Sequence, residues 1–349
     1  MVSDEAKGLW SEILGELAPE LVPAIEAGGN HVPCPVHGGK DGFRVFNDFQ
    51  ATGGGVCNTC GKFANGVRLL AWIRQVTPRE AASLVSRWLT GNRDSPGRVR
   101  RFTASFQEPD PSKARASIQR IWAGCVPIRG TLAERYLENR GIPRTGISQR
   151  LRFHPGLTYF EKVDGKLRRL GSFPAMVAAI QLPNERGVCL HRTYLSPQGS
   201  KADVVSPKKM TMRSAPTKGA AIRLFAPAEV LAVAEGIETA LAVRAATGLP
   251  VWATASATLM ESLEVPDGVK QVHIFADKDG PSRDAPQGRG LQAAERLLAR
   301  LTRAGRRGSI HLPTRAIPSG SKGIDWLDVW VEEGRAAFPV ELAHLPQAA

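Results

Sequence analysis

The sequence predicts a multidomain α/β protein, and three observations carry that prediction. At 349 residues the chain exceeds the length of one typical core, so we expect two or three domains. From Val230 onward, short apolar runs alternate with helical patterns, which is typical of a parallel sheet with helical crossovers. Three of the five cysteines fall within Cys34–Cys60, a cluster that indicates a small metal-binding domain rather than disulfides.

Composition bounds the class of protein. Hydrophobic residues make up 42% of the chain and charged residues 23%, as in ordinary soluble proteins. No apolar run approaches the roughly 20 residues that span a bilayer, and the first residues lack a signal-peptide apolar region, so we expect a cytoplasmic protein with no membrane partner. The net charge of +13 favours a polyanionic partner, most simply nucleic acid. A coding bias towards arginine would produce the same charge.

The first chemical motif consists of two ligand pairs. Cys34-x2-His37 and Cys57-x2-Cys60 each place two metal-binding side chains close together. A set of three cysteines and one histidine is typical of closed, tetrahedral zinc sites, and four protein ligands leave no position open for substrate. The motif therefore predicts one structural Zn²⁺ held by Cys34, His37, Cys57 and Cys60.

The sequence around these ligands, CPVHGGKDGFRVF…GGGVCNTCG, resembles the N-terminal zinc ribbon of bacterial DnaG-type primases and of phage or plasmid primases. The resemblance implies a ribbon that engages single-stranded template. We expect Phe43, Phe46 and Phe49 to be exposed, where they could stack on bases. The alternative is that they form ribbon core, which we expect of at least one.

The chain from the ribbon to residue 228 divides by composition. Gly66–Leu89 has a helical pattern, with a capping-box start at Thr77-Pro78-Arg79-Glu80, and it closes a first domain of residues 1–90. Residues 91–113 are rich in Gly, Pro, Ser and Arg and predict a linker. Ala114–Asn139 is predicted to be helical. Short β-type runs with basic loops follow, among them Ile222–Phe225, so residues 114–228 predict a mixed α+β middle domain.

Within that middle domain, AERYLENRGI and LRFHPGL resemble the entry into the RNA-polymerase domain of primases. The resemblance implies a basic groove that holds template and nucleoside triphosphates. Arg192, Lys208, Lys209 and Lys218 are the residues that we predict for this role. The alternative for each is a solvated surface charge.

Acidic residues follow two strand-length apolar runs in the last third of the chain. Val230–Ala234 ends at Glu235, and Val272–Ala276 ends at Asp277 and Asp279. Because ligands sit at the carboxyl ends of parallel strands, we expect the three carboxylates to converge. Oxygen ligands of this kind suit Mg²⁺ or Mn²⁺.

These acids also resemble the Toprim domain, an α/β domain with a parallel sheet that primases share with topoisomerases and some nucleases. The features that carry the resemblance are Glu235-Gly236, Asp277-Lys278-Asp279 and a Gly-x-x-Ala-Ala helix start. It implies that Glu235, Asp277 and Asp279 are catalytic metal ligands and that residues 229–340 form the domain, with residues 341–349 as a tail.

Two further points concern this domain. Asp325 and Asp328 resemble a trailing acidic motif and are secondary metal candidates, with helix capping as the alternative for Asp325 and, likewise, for Glu238. The chain departs from DnaG-type enzymes at Thr239, where those carry Asp, and in the longer loop after Asp279.

Together these features predict a DNA primase that makes short RNA primers on single-stranded DNA by metal-dependent nucleotidyl transfer. Its expected partners are the template and NTPs. We also expect a separate replicative helicase, because no G-x4-G-K-[ST] phosphate loop, typical of helicases, occurs in the sequence. Two alternatives stay open: a Toprim-type nuclease or nicking enzyme, and a non-catalytic adaptor that binds single-stranded DNA.

Overall fold

The structure, a computed structural model, describes residues 2–93, 110–163, 166–281 and 285–339. The chain divides into two compact units, Met1–Glu108 and Pro109–Ala349. Residues 94–109, which make up most of the predicted linker, and the predicted tail lie outside the described residues. Within the described residues, no helix has the length and apolar character needed to cross a membrane.

The first unit is a small antiparallel sheet, with strand order β1-β2-β3-β4, accompanied by helices. Its elements are α1 (Val2–Glu5), α2 (Trp10–Leu17), α3 (Val22–Glu26), β1 (Val32–Cys34), β2 (Gly38–Val45), α4 (Phe49–Thr52), β3 (Gly55–Cys57), β4 (Gly61–Phe63), α5 (Gly66–Arg74) and α6 (Pro78–Arg93). The capping box at Thr77 is formed, because Glu80 accepts from the Thr77 backbone N–H while the Thr77 hydroxyl accepts from that of Glu80.

The core of this unit corrects one prediction. Phe43 and Phe49 are fully buried in a cluster with Trp10, so they are not exposed aromatic residues, and Phe46 alone of the three is partly exposed. Both rings pack in the same cluster as Leu69 and Leu70 of α5. Packing here is close: a Cβ added to Gly66 would lie 2.2 Å from the Trp10 ring, which explains a glycine at the first position of α5.

The second unit begins with helices and an antiparallel sheet of strand order β5-β6-β7-β8-β9. Its elements are α7 (Pro111–Ala123), β5 (Val126–Pro127), α8 (Leu132–Asn139), β6 (Arg152–Val163), β7 (Lys166–Gln181), β8 (Gly187–Tyr194) and β9 (Lys208–Met210). The predicted helical stretch Ala114–Asn139 is divided into two helices, because Gly124 ends α7 and β5 intervenes. Ile222–Phe225 is also not a strand; it contributes only an isolated bridge from Ile222 to Ala253.

A four-stranded parallel sheet follows, in the order β11-β10-β12-β14, which confirms the predicted parallel sheet. A two-stranded ribbon, β13-β15, accompanies it. The elements are β10 (Val230–Ala234), α9 (Ile237–Thr247), β11 (Val251–Ala253), α10 (Ala257–Ser262), β12 (Gln271–Phe275), β13 (Lys278–Asp279), α11 (Arg289–Arg303), β14 (Arg307–His311), β15 (Gly323–Ile324) and α12 (Trp326–Glu333).

Both faces of this sheet are covered. Along β12, Val272 and Ile274 join a core with α10 and α11, whereas Phe275 faces a second core with α9 and α12. Strands buried on both faces are near-continuous apolar runs, as β10 is. Along β10, polar side chains therefore appear only where the strand ends.

Candidate metal centres and catalytic site

The zinc ribbon brings its four predicted ligands together. One ligand atom from each of Cys34, His37, Cys57 and Cys60 lies within 4.8 Å of the others, and His37 Nε2 is 3.2 Å from Cys57 Sγ. Zinc bonds of about 2.0 Å to nitrogen and 2.3 Å to sulfur, at tetrahedral angles, imply a separation of about 3.5 Å. The cluster is therefore close to the size of a zinc coordination sphere.

The thiols of this cluster also have the chemistry of a metal site. Burial opposes ionisation of Cys57, but backbone hydrogen bonds from Cys60 and Thr59 together with His37 lower its pKa to about 7. Burial and the neighbouring Cys57 raise the pKa of Cys60 to about 12. Thiolates packed this closely need a cation between them, so the four residues fit Zn²⁺.

The acid site lies where β10 and β12 end. Glu235 directly follows β10, Asp277 lies two residues beyond β12, and Asp279 is in the ribbon strand β13. That ribbon pairs Asp279 with Gly323, two positions before Asp325. The ends of β10 and β12 and the β13-β15 ribbon therefore bring four acids together: Glu235, Asp277, Asp279 and Asp325.

The start of α11 packs tightly against this acidic loop. The Gly290 backbone N–H donates to Asp279 Oδ2 at 2.7 Å. A Cβ on Gly290 would lie 2.4 Å from the Asp277 carbonyl oxygen, and one on Gly288 would lie 2.7 Å from that of Asp279. The glycines of the Gly-x-x-Ala-Ala start and of the preceding turn are thus required by the close approach of the helix to the acids.

The electrostatics of the acids suit a divalent cation. Burial, and then the negative charges of Asp325, Glu235 and Asp279, raise the pKa of Asp277 well above its usual value. Burial and Asp279 likewise raise the pKa of Glu235. Asp277 Oδ1 is buried without a hydrogen-bond partner. Mutually repelling carboxylates around an unpaired buried oxygen are the donor set that Mg²⁺ or Mn²⁺ binds, so these residues fit a divalent ion.

Asp325 has two contacts that bear on its role. Its Oδ1 accepts from the backbone N–H groups of Leu327 and Asp328, while Asp328 Oδ2 accepts from the Asp325 N–H, so a capping box starts α12. Burial and the charge of Asp328 raise the pKa of Asp325. Its charge nevertheless acts on Asp277. Asp325 is thus a helix cap that also faces the acid site, whereas Asp328 supports that cap.

A buried network adjoins the acids. Glu238, which is 3% exposed, accepts from the Tyr136 hydroxyl at 2.6 Å and from Lys208 Nζ at 3.0 Å. Burial would raise its pKa, but the Lys208 charge and these hydrogen bonds lower it to about 2. Lys208 also opposes the pKa increases of Glu235 and Asp277. Of the four basic residues predicted to bind nucleic acid or nucleotide, Lys208 is therefore beside the acids.

The other three predicted basic residues lie elsewhere. Lys209 follows Lys208 in β9 and so points to the opposite face, where it pairs with Glu161 at 3.1 Å and lies over the Tyr159 ring. Arg192, opposite Lys209 in the sheet, donates to the Tyr194 hydroxyl and the Met210 carbonyl oxygen. Lys218 is exposed.

Sequence reasoning missed three residues at the site. Arg289, next to Gly290 in the helix start, lowers the pKa of Glu235 and so lies within electrostatic reach of it. Tyr136 reaches Glu238 from 102 positions away. Burial and the charge of Lys208 lower the pKa of Lys201, while Glu238 and Asp325 oppose that change. The Gly-Arg-Gly run could have drawn attention to Arg289, but nothing local to the other two indicates a site.

Comparison with known domain families agrees with this geometry. Residues 230–336 match the Toprim domain. Residues 29–67 match the zinc-binding domain of primase-helicase. Residues 112–224 match a domain of unknown function, DUF7146. The chain thus contains a Toprim domain and a zinc-binding domain of the kind found in primase-helicase, and the predicted resemblance to primases with a zinc ribbon and a Toprim domain is confirmed.

Solved primase structures are similar over much of the chain. The Aquifex aeolicus primase, comprising zinc-binding and RNA polymerase domains, is 16% identical with a TM-score of 0.41, covering 93% of this chain and 83% of that one. The primase fragment of the bacteriophage T7 primase-helicase is 16% identical with a TM-score of 0.33, covering 88% and 96%. A DNA primase domain from Pseudomonas aeruginosa is 16% identical with a TM-score of 0.39, covering 66% and 76%. At these scores the matched domains, rather than the structures, carry the assignment.

Proposed function

We propose that the protein is a DNA primase that synthesises short RNA primers on a single-stranded DNA template. The observation that carries the proposal is the meeting of Glu235, Asp277, Asp279 and Asp325 around the unpaired Asp277 Oδ1, in a chain that also has a primase-type zinc ribbon. Its substrates would be NTPs and its template a single strand. A replicative helicase would be its further partner, because the ribbon matches the zinc-binding domain of primase-helicase.

In this proposal the acids hold the divalent ions. Glu235, Asp277 and Asp279 would be the principal ligands of Mg²⁺ or Mn²⁺, with Asp325 facing the same space. When bound, such ions lower the pKa of a 3′-hydroxyl and neutralise charge on the transferred phosphate. The N–H of Gly290 donates to Asp279 Oδ2 and so holds that carboxylate in place.

The basic side chains beside the acids would orient substrate phosphates. Lys208 is fixed by the buried Glu238 carboxylate, and its side chain is 39% exposed, so it would be accessible to a triphosphate. Arg289, whose guanidinium pairs with Glu261 at 2.9 Å, offers a second cation within electrostatic reach of Glu235. Cations held by other protein groups lose less entropy when they bind a phosphate.

Primer synthesis tests the proposal. The full chain, incubated with single-stranded DNA, NTPs and Mg²⁺ or Mn²⁺, should yield short RNA. Asp277→Asn and Asp279→Asn should each reduce the yield at least about a hundredfold, since each removes a charged ligand of the ions that stabilise the transition state. Asp267→Asn is the matched control, because that side chain is fully exposed and should leave synthesis unchanged. Full synthesis by both site variants would disprove the proposal.

The same reactions separate the alternatives. DNA nicking or degradation without NTPs, lost in Asp277→Asn, would identify a nuclease instead. Binding of single-stranded DNA with neither product would identify an adaptor.

A further inference from the structure

We propose that a basic cavity in the unit Pro109–Ala349, separate from the acid site, binds a phosphate group of a nucleotide with part of its sugar or base. The cavity has a volume of about 240 Å³. Residues that line it come from α7, the start of β6, the end of β7 and the segment after Ala221: Trp122, Gln149, Arg150, Arg152, Gln181 and Arg223. Among its described lining residues there is no carboxylate and none of the acid-site residues.

Among the residues that the structure describes, the cavity carries more positive than negative charge. Arg223 is only 5% exposed, its Nε is buried without a hydrogen-bond partner, and its guanidinium lies 4.6 Å from the centre of the Trp252 ring. One carboxylate reaches it, that of Glu185 at 3.4 Å, on a side chain that is 63% exposed. Burial, and also the nearby Arg150 charge, lower the pKa of Arg223. Three arginines with one exposed counter-charge form a site that an anion would stabilise.

The shape and the donors of the cavity favour a phosphate over other anions. Arginine presents a planar fork of donors that matches phosphate oxygens two at a time. Arg152 lies 5.6 Å from the centre of the Trp122 ring, so a flat wall adjoins the donors, and aromatic faces of this kind stack nucleobases. The volume is below the roughly 300–1,000 Å³ of pockets that enclose drug-sized ligands. It therefore suits one phosphate with part of its nucleotide rather than a whole triphosphate.

Two sources could supply this phosphate: the backbone of a single strand, as the proposed function implies, or a free nucleotide. The test uses the full chain without added divalent ions, so that the acid site contributes little. Binding of a fluorescein-labelled oligo-dT and of a fluorescent ATP analogue is measured by anisotropy over a range of salt concentrations. The variant is Arg150→Gln with Arg152→Gln, and the matched control is Arg303→Gln with Arg307→Gln, which removes two exposed arginines outside the cavity.

We expect the cavity variant to bind one of the two probes about tenfold more weakly, and the control less than twofold. If the probe is oligo-dT, the slope of log affinity against log salt should fall by about 1.4, at about 0.7 for each lost contact to a single strand. Loss of oligo-dT binding alone identifies a strand site, and loss of ATP binding alone a nucleotide site. Equal losses in both double variants, or none in either, would overturn the inference. Failure of the proposed function would instead appear as unchanged primer synthesis in the aspartate variants.

Discussion

Lys208→Met tests the buried network beside the acids. Glu238 is inside the protein with its charge balanced by Lys208. Its pKa of about 2, against an ordinary value of 4.5, corresponds to about 3 kcal/mol of stabilisation at 1.36 kcal/mol for each pKa unit. Because the Lys208 side chain is 39% exposed and partly screened by water, we reduce the expected loss to about 2 kcal/mol.

The pH dependence of this loss has a definite sign. In the native protein the folded pKa of Glu238 is depressed, so its stabilisation is present above the ordinary pKa of 4.5 and is lost as the pH falls towards 2. Without Lys208, burial acts largely unopposed and raises the Glu238 pKa. The carboxyl then takes up a proton at mildly acidic pH, which relieves the buried charge. The deficit of Lys208→Met should therefore be largest near neutral pH and shrink towards about pH 5.

Urea unfolding followed by circular dichroism, at about pH 7.5 and about pH 5, measures this deficit. Lys218→Met is the control, since it removes the same charge from an exposed position. Glu238→Gln in the Lys208→Met background should recover part of the lost stability, because it replaces the unpaired buried charge with a neutral amide. A free energy of unfolding within about 0.5 kcal/mol of the control, the range of ordinary surface substitutions, would refute the reasoning. So would a deficit that does not change with pH.

Two more predictions concern the metal centres. Cys57→Ser should reduce bound zinc from one equivalent to well below half in elemental analysis of the purified chain, whereas Cys125→Ser, outside the cluster, should keep one equivalent; full zinc content in both would disprove the ligand assignment. Gly290→Ala should lower primer synthesis at least about tenfold, because its Cβ would lie 2.4 Å from the Asp277 carbonyl oxygen and must displace the acidic loop or α11. Gly268→Ala, with open space around its Cβ, should leave synthesis unchanged, and equal activity of the two would contradict a close-packing role for Gly290.

The parallel sheet and its strand ends could be predicted from sequence because their signals are local. A continuous apolar run indicates a strand that is buried on both faces. An acid directly after the run, as at Glu235 and Asp277, indicates the carboxyl edge of the sheet. The helix α9, which runs from Ile237 to Thr247, then connects β10 to β11. Spacing alone also identifies the four zinc ligands, because two ligands with two residues between them can bind the same ion.

The burial of the phenylalanines in the zinc ribbon could not be predicted in the same way. Phe43 and Phe49 alternate with polar residues, a pattern that fits either an exposed stacking surface or a core. Which of these occurs depends on α2 and α5, whose Trp10, Leu69 and Leu70 close over the sheet. The choice is made by tertiary packing, and no window that is confined to the ribbon contains that information.

The role of Asp325 could likewise not be decided from the sequence, which allowed a helix cap or a residue of the acid site. In the structure Asp325 caps α12 and also faces the acids, so the two interpretations are not alternatives. The side-chain oxygen that caps α12 fixes the position of the Asp325 carboxyl group, while the β13-β15 ribbon fixes the backbone just before it, opposite Asp279. A carboxylate held at both points pays little entropy to face Asp277, whose pKa its charge helps to raise. The cap is therefore the means by which this residue is positioned at the site. Asp325→Asn retains an oxygen that accepts the capping N–H groups and removes the charge, so it should keep the free energy of unfolding within about 1 kcal/mol. Its primer synthesis should nevertheless require more Mg²⁺, and an unchanged Mg²⁺ requirement would leave Asp325 with the structural role alone.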